Sequence, residues 1–166
     1  MEAEHVRLNL QQRVGLELLE LVHLFAKRPG KCTALSRSSS PCSLEDCLLM
    51  LYDVYGNVLL SALNIMERGL VSCARSPSGG SVYSVRGSTQ QEYRVLLAAA
   101  GCGDVEAEHD HGDHCSCFFY SHRVMPRAES VACKHVLAAR LAQGFNRLTV
   151  FEVDERDIRL MVSDMG

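Results

Sequence analysis

The chain has 166 residues, 47% hydrophobic and 22% charged, with a formal net charge of −3. That is long enough for one packed core, and it gives no chain-wide field that would hold a polyanion. Any nucleic-acid surface must therefore be local. No apolar run approaches the roughly 20 residues that cross a bilayer, and the N-terminus lacks the basic start, apolar stretch and small-residue cleavage site of a secretory leader. The expectation is a soluble chain that is not secreted.

In chain order, residues 1–27 form the first predicted unit. Leu and Val recur through residues 6–25, and Leu18, Leu21, Val22 and Phe25 make an amphipathic helical stripe that ends before Pro29-Gly30. That stripe can pack on the chain's own core or lie in a partner's groove, and self-packing is the expected arrangement. Residues 28–43, with Arg28, Lys31, Arg37 and a serine run, carry too little apolar surface to fold and read as a flexible linker. Residues 44–69 are predicted helical. Ser43 and Asp46 resemble a capping box, Gly56-Asn57 interrupts the apolar pattern, and Gly69 stops it.

Residues 70–147 change period. Short β-rich runs at 70–75, 81–86 and 93–97, separated by Ser, Pro and Gly turns, predict a small antiparallel meander. Residues 101–114 follow as an acidic loop with Asp104, Glu106, Glu108, Asp110 and Asp113 but no Lys or Arg, together with His109, His111 and His114. A solvated loop is the expected reading, a second metal site the rarer one. Residues 148–166 read as a closing strand and helix, with acids at Asp154 and Glu155 in the first turn. The fold class is α+β.

Eight cysteines could form a disulfide framework, but they are unevenly spread, and two C-x-C and C-x-H pairs favour metal over bridges. Cys47 and Cys73 sit in apolar patterns and are expected as small buried hydrophobes. Cys115 and Cys117 are one residue apart, and in extended chain i and i+2 share a face, so both sulfurs can reach one ion. After fifteen residues, Cys133 and His135 repeat the spacing at the start of a helix-forming run, where the helix dipole favours a thiolate. Three thiolates and an imidazole fill the four positions of Zn2+, which leaves none for a reactive water. The site is therefore expected to be structural and the chain not an enzyme: Cys133 and His135 are poorly placed as nucleophile and base, and no G-x-S-x-G elbow is present.

Cys115-Ser116-Cys117, the following fifteen residues, Cys133-Lys134-His135 and then Ala139 resemble the SWIM zinc finger, whose pattern is C-x-C-x(n)-C-x-H with a downstream alanine. The stretch 76–88 and the tyrosine-containing strand after it further resemble the small SWIM-domain subunits of the Shu complex, over about residues 44–157. The resemblance implies a non-enzymatic nuclear subunit that pairs with a RecA-like recombinase paralogue and assists recombinase filaments on single-stranded DNA. It implies zinc at Cys115, Cys117, Cys133 and His135, and a close-packing role for Ala139, which can equally be a plain helix former. The alternative is a SWIM-type adaptor, tied to ubiquitin transfer or derived from a transposase, unrelated to recombination. Phe118-Phe119-Tyr120 stands where many SWIM sequences have a proline, so the local turn is expected to differ.

Within the finger, Arg123, Arg127, Lys134, Arg140 and Arg147 outnumber Glu129, and the first four are candidate DNA contacts. Phe118, Phe119, Tyr120 and His122 either stack on bases or fill the small core around the metal.

Overall fold

The structure is a computed structural model that describes residues 14, 15, 17–19, 22, 43–87, 90–98, 112–124 and 130–165. The described N-terminal residues are helical, and Leu18, Leu19 and Val22 are buried in the main core, so this part of the stripe packs on the chain itself. Gly15 lets it lie close to its neighbour, because a Cβ there would stand 2.8 Å from the Tyr55 ring. Leu21, Phe25 and the linker before Ser43 lie outside the described residues.

Helix α1 (Leu44–Tyr55) begins at the predicted capping box: the Asp46 N–H donates to Ser43 Oγ at 3.1 Å, and the Ser43 N–H donates back to Asp46 Oδ2 at 2.9 Å. Gly56, at φ +55°, turns the chain into α2 (Asn57–Glu67). Cys47 and Leu51 of α1 face the core with Leu59, Ala62, Ile65 and Met66 of α2.

Three strands follow as predicted: β1 (Val71–Arg75), β2 (Ser81–Arg86) and β3 (Glu92–Leu96), antiparallel, with Cys73 opposite Tyr83 and Tyr83 opposite Val95. Two more strands enlarge the meander into a mixed five-stranded sheet of order β4-β3-β2-β1-β5. The first, β4 (His114–Cys115), adds antiparallel to β3; β5 (Thr149–Glu152) adds parallel to β1. A parallel neighbour needs a long crossover, and here the chain between β1 and β5 includes α3 (Lys134–Gly144).

Helix α3 lies across one face of the sheet and α2 packs on α3. The closing helix α4 (Glu155–Ser163) sits on the opposite face, with Ile158 among Ala74 and Val82, and Ser78 donates to Glu155 to tie it to the β1–β2 turn. With a neighbour on both sides, α3 buries His135 through Ala139 without interruption. Ala138, Ala139 and Ala142 are each 0% exposed, and their small side chains permit the close approach. Replacing Ala139 with leucine adds methylenes where none fit and is expected to cost about 1–3 kcal/mol, measured by urea unfolding, with metal content retained.

Candidate metal centre

The sheet and α3 bring the two Cys/His pairs together. Cys115 ends β4 opposite Val95. Pairing runs one residue further, because the Ser116 N–H donates to the Arg94 carbonyl and the Arg94 N–H to Ser116 Oγ, each at 3.0 Å. Ser116 thus faces solvent while Cys115 and Cys117 face inward, as extended alternation requires. Cys117 then starts a tight turn: its carbonyl accepts from the Tyr120 and Ser121 N–H groups at 3.0 and 3.2 Å, and its sulfur accepts from Tyr120 N–H at 3.3 Å. This turn leads into a π-helical segment (Tyr120–Val124). On the other side Cys133 is the N-cap of α3, and its sulfur accepts from the Val136 N–H at 3.4 Å.

One donor atom from each of Cys115, Cys117, Cys133 and His135 lies within 4.8 Å of every other, and all four residues are buried. Among the described residues this is the one such cluster. His135 Nδ1 is 3.9 Å from Cys115 Sγ, close to the roughly 3.6 Å that separates sulfur and nitrogen ligands on a tetrahedral ion. His135 Nε2 is buried with no hydrogen-bond partner, and the ring is held by stacking on Tyr93, centroids 4.0 Å apart.

The thiols crowd one another. Cys117 receives hydrogen bonds from Cys115 and Cys133, which hold its pKa far below the usual thiol range, while Cys115, bonded to Cys117 and Cys133 and buried, is pushed far up. A cation among the sulfurs removes that conflict by letting all three ionise. The donor chemistry, the burial and the approach of His135 Nδ1 to the sulfurs together fit a bound metal ion with four protein ligands and no open position.

The other predicted residues separate. Ala139 is buried in α3. Lys134 is half-buried beside the cluster, and Arg123 is exposed on the π-helical turn. Arg127 lies outside the described residues, as do Cys32, Cys42, Cys102 and loop residues 101–111. Cys47 and Cys73 are buried hydrophobes, as expected.

Arg140 is mostly withdrawn from solvent and paired with a carboxylate. Its Nε donates to Asp113 Oδ2 at 3.1 Å, Nη2 pairs with Asp113 Oδ1, and Nη2 also donates to the Ala98 carbonyl at 3.0 Å. Asp113, read in sequence as one more acid of a solvated loop, also accepts from the Ala98 N–H at 2.9 Å, and its carbonyl accepts from the Tyr120 hydroxyl. This junction ties α3, the end of β3 and the entry to β4 in one place. Burial, and then the nearby Asp113 charge, push both Tyr55 and Tyr120 up to about 12. His114 stands edge-on to Tyr120, centroids 5.4 Å apart, and is not part of the metal cluster.

A strand-borne Cys-x-Cys pair and a helix-borne Cys-x-His pair closing on one buried point define the SWIM class of zinc finger. Comparison with curated proteins agrees: over about 70% of this chain it is 32% identical to "Zinc finger SWIM domain-containing protein 7" of Homo sapiens, covering 76% of that protein. The Mus musculus protein of the same name is 32% identical with 66% of its length covered, and the Danio rerio protein 28% identical with 76% covered. The chain belongs to the zinc finger SWIM domain-containing protein 7 family. No protein-family model matches it, and no solved structure matches it significantly.

Proposed function

We propose that the protein is a non-enzymatic, zinc-dependent subunit of a nuclear complex for homologous-recombination repair. In this role it pairs with a RecA-like recombinase paralogue and assists recombinase assembly on single-stranded DNA. The observation that carries the reading is the closed cluster of Cys115, Cys117, Cys133 and His135, with donor atoms within 4.8 Å. Zinc suits three thiolates and an imidazole, and with all four positions filled by protein it serves as a cross-link rather than as a reaction centre. The resemblance of stretch 76–88 to the SWIM subunits of the Shu complex supports the recombination role over the adaptor role.

Affinity capture of the zinc-loaded chain from nuclear extract, with identification of bound proteins and metal analysis, tests the reading. A RecA-like paralogue recovered with about one zinc per chain is the expected result. Recovery of ubiquitin-ligase subunits alone overturns it in favour of the adaptor.

A further inference from the structure

Two cavities adjoin beside the metal centre and run along α2. The first, about 490 Å³, lies between Asn57 and the neighbouring rings of Phe118 and Phe119; the second, about 410 Å³, reaches Asn64 and Arg68. Ser61 and Lys134 line both, so the two form one continuous groove. We propose that this groove seats a short single-stranded nucleic acid, bases on Phe118 and Phe119 and phosphates against Lys134 and Arg68. The proposal rests on the single-strand role above and gives it a site.

Three observations favour this occupant. Phe118 is 75% exposed and Phe119 44%, an unusual pairing of adjacent rings for a small protein. The Phe118 ring is nonetheless ordered: it stacks on His122 at 3.8 Å and 21°, and His122 is held through Nδ1 at 3.0 Å from Ser121 Oγ and 3.1 Å from the Phe118 carbonyl. A flat ring fixed from behind and open in front is a ready platform for a base, and stacking on it needs no particular sequence. Second, the groove has cations at Lys134 and Arg68 and no carboxylate among its described lining residues, which complements a phosphate backbone and repels no part of it. Third, α2 lines the groove with Asn57, Ser61, Asn64 and Arg68 at i, i+4, i+7 and i+11 and with Val58, Leu60 and Ile65 between them, a mixed wall that can meet both the polar backbone and the flat bases of a single strand. Of the residues expected to touch DNA from sequence, the groove keeps Lys134 and does without Arg140.

The test is fluorescence anisotropy of a labelled oligothymidylate with the zinc-loaded full chain, alone and in complex with its captured partner, over a series of salt concentrations. Phe118→Ala should weaken binding about tenfold and Phe118→Tyr should retain it, since one base-stacking contact is removed and then restored. Arg68→Ala should flatten the dependence of log affinity on log salt by about 0.7, the share of one phosphate contact on a single strand. Zinc content and partner capture should be unchanged in all three variants. Groove variants that bind as wild type, or a Phe118→Ala chain that loses its protein partner while keeping the oligonucleotide, would overturn the groove assignment. A wild-type chain that captures no RecA-like partner would instead overturn the recombination reading, whatever the groove variants do.

Discussion

Cys133→Ser, or removal of the metal by a strong chelator, is expected to unfold the C-terminal half of the protein rather than loosen it locally. The four ligands come from β4, from the turn after it and from the first turn of α3, and α3 is the buried layer between the sheet and α2. Losing one ligand leaves the remaining buried thiols crowded against one another without a full ligand set to hold the cation that relieves them. A structural zinc site contributes about 10–16 kcal/mol in apparent terms. A whole domain is stable by only about 5–15 kcal/mol, so the rest of the core cannot offset the loss. Circular dichroism and amide exchange, read beside metal analysis, check this. The control is Cys73→Ala, a buried cysteine outside the cluster, which should keep its metal and lose only the ordinary cost of a small core truncation. Acid should act like the chelator, because every ligand must be deprotonated to bind and falling pH returns protons to the thiolates and the imidazole. A Cys133→Ser protein that unfolds at the wild-type temperature would sink both the structural role of the ion and the reading built on it.

What the chain revealed before its structure was the part governed by short-range geometry. Ser43 and Asp46 are three residues apart, and their reciprocal hydrogen bonds follow from that spacing alone. Gly56 breaks the helices because it adopts a positive φ that most residues avoid, and each half of the metal cluster is a two-residue periodicity effect. Contacts set by the sheet as a whole stayed hidden. At two residues, β4 is too short to show any alternation, and β5, though a strand is expected in residues 148–166, is exposed along its length and carries no pattern that assigns it to this sheet. Parallel pairing of β5 with β1 joins residues more than seventy positions apart, and no local signal encodes it. Charge counting does not show the pairing of Arg140 with Asp113 for the same reason. Whether a guanidinium faces solvent or a carboxylate depends on where α3 lands, which composition does not report. Phe118 shows the converse: adjacent aromatics were open to either use, and the π-helical turn resolves them, with Tyr120 in the core and Phe118 outside.

The Asp113–Arg140 junction carries the second large effect. Both side chains are mostly withdrawn from water, at 12% exposure for Arg140 and 19% for Asp113, and the pair is bidentate with a further hydrogen bond to the Ala98 carbonyl. Breaking such a pair from one side strands the other charge, which costs on the order of 3 kcal/mol. Arg140→Ala should therefore destabilise the protein by that amount in urea unfolding, and Asp113→Ala by a similar amount. The double substitution should cost clearly less than the two single losses added together, because each single variant already removes the shared contact. Lysine at 140 should rescue only part of the loss, since an ammonium cannot span both carboxylate oxygens in a planar fork while also reaching Ala98. The junction lies where β4 begins, two residues before Cys115, so its loss should also lower zinc affinity without removing any ligand. If Arg140→Ala leaves stability and zinc affinity unchanged but weakens oligonucleotide binding, Arg140 belongs to the nucleic-acid surface after all and the junction is incidental to the fold.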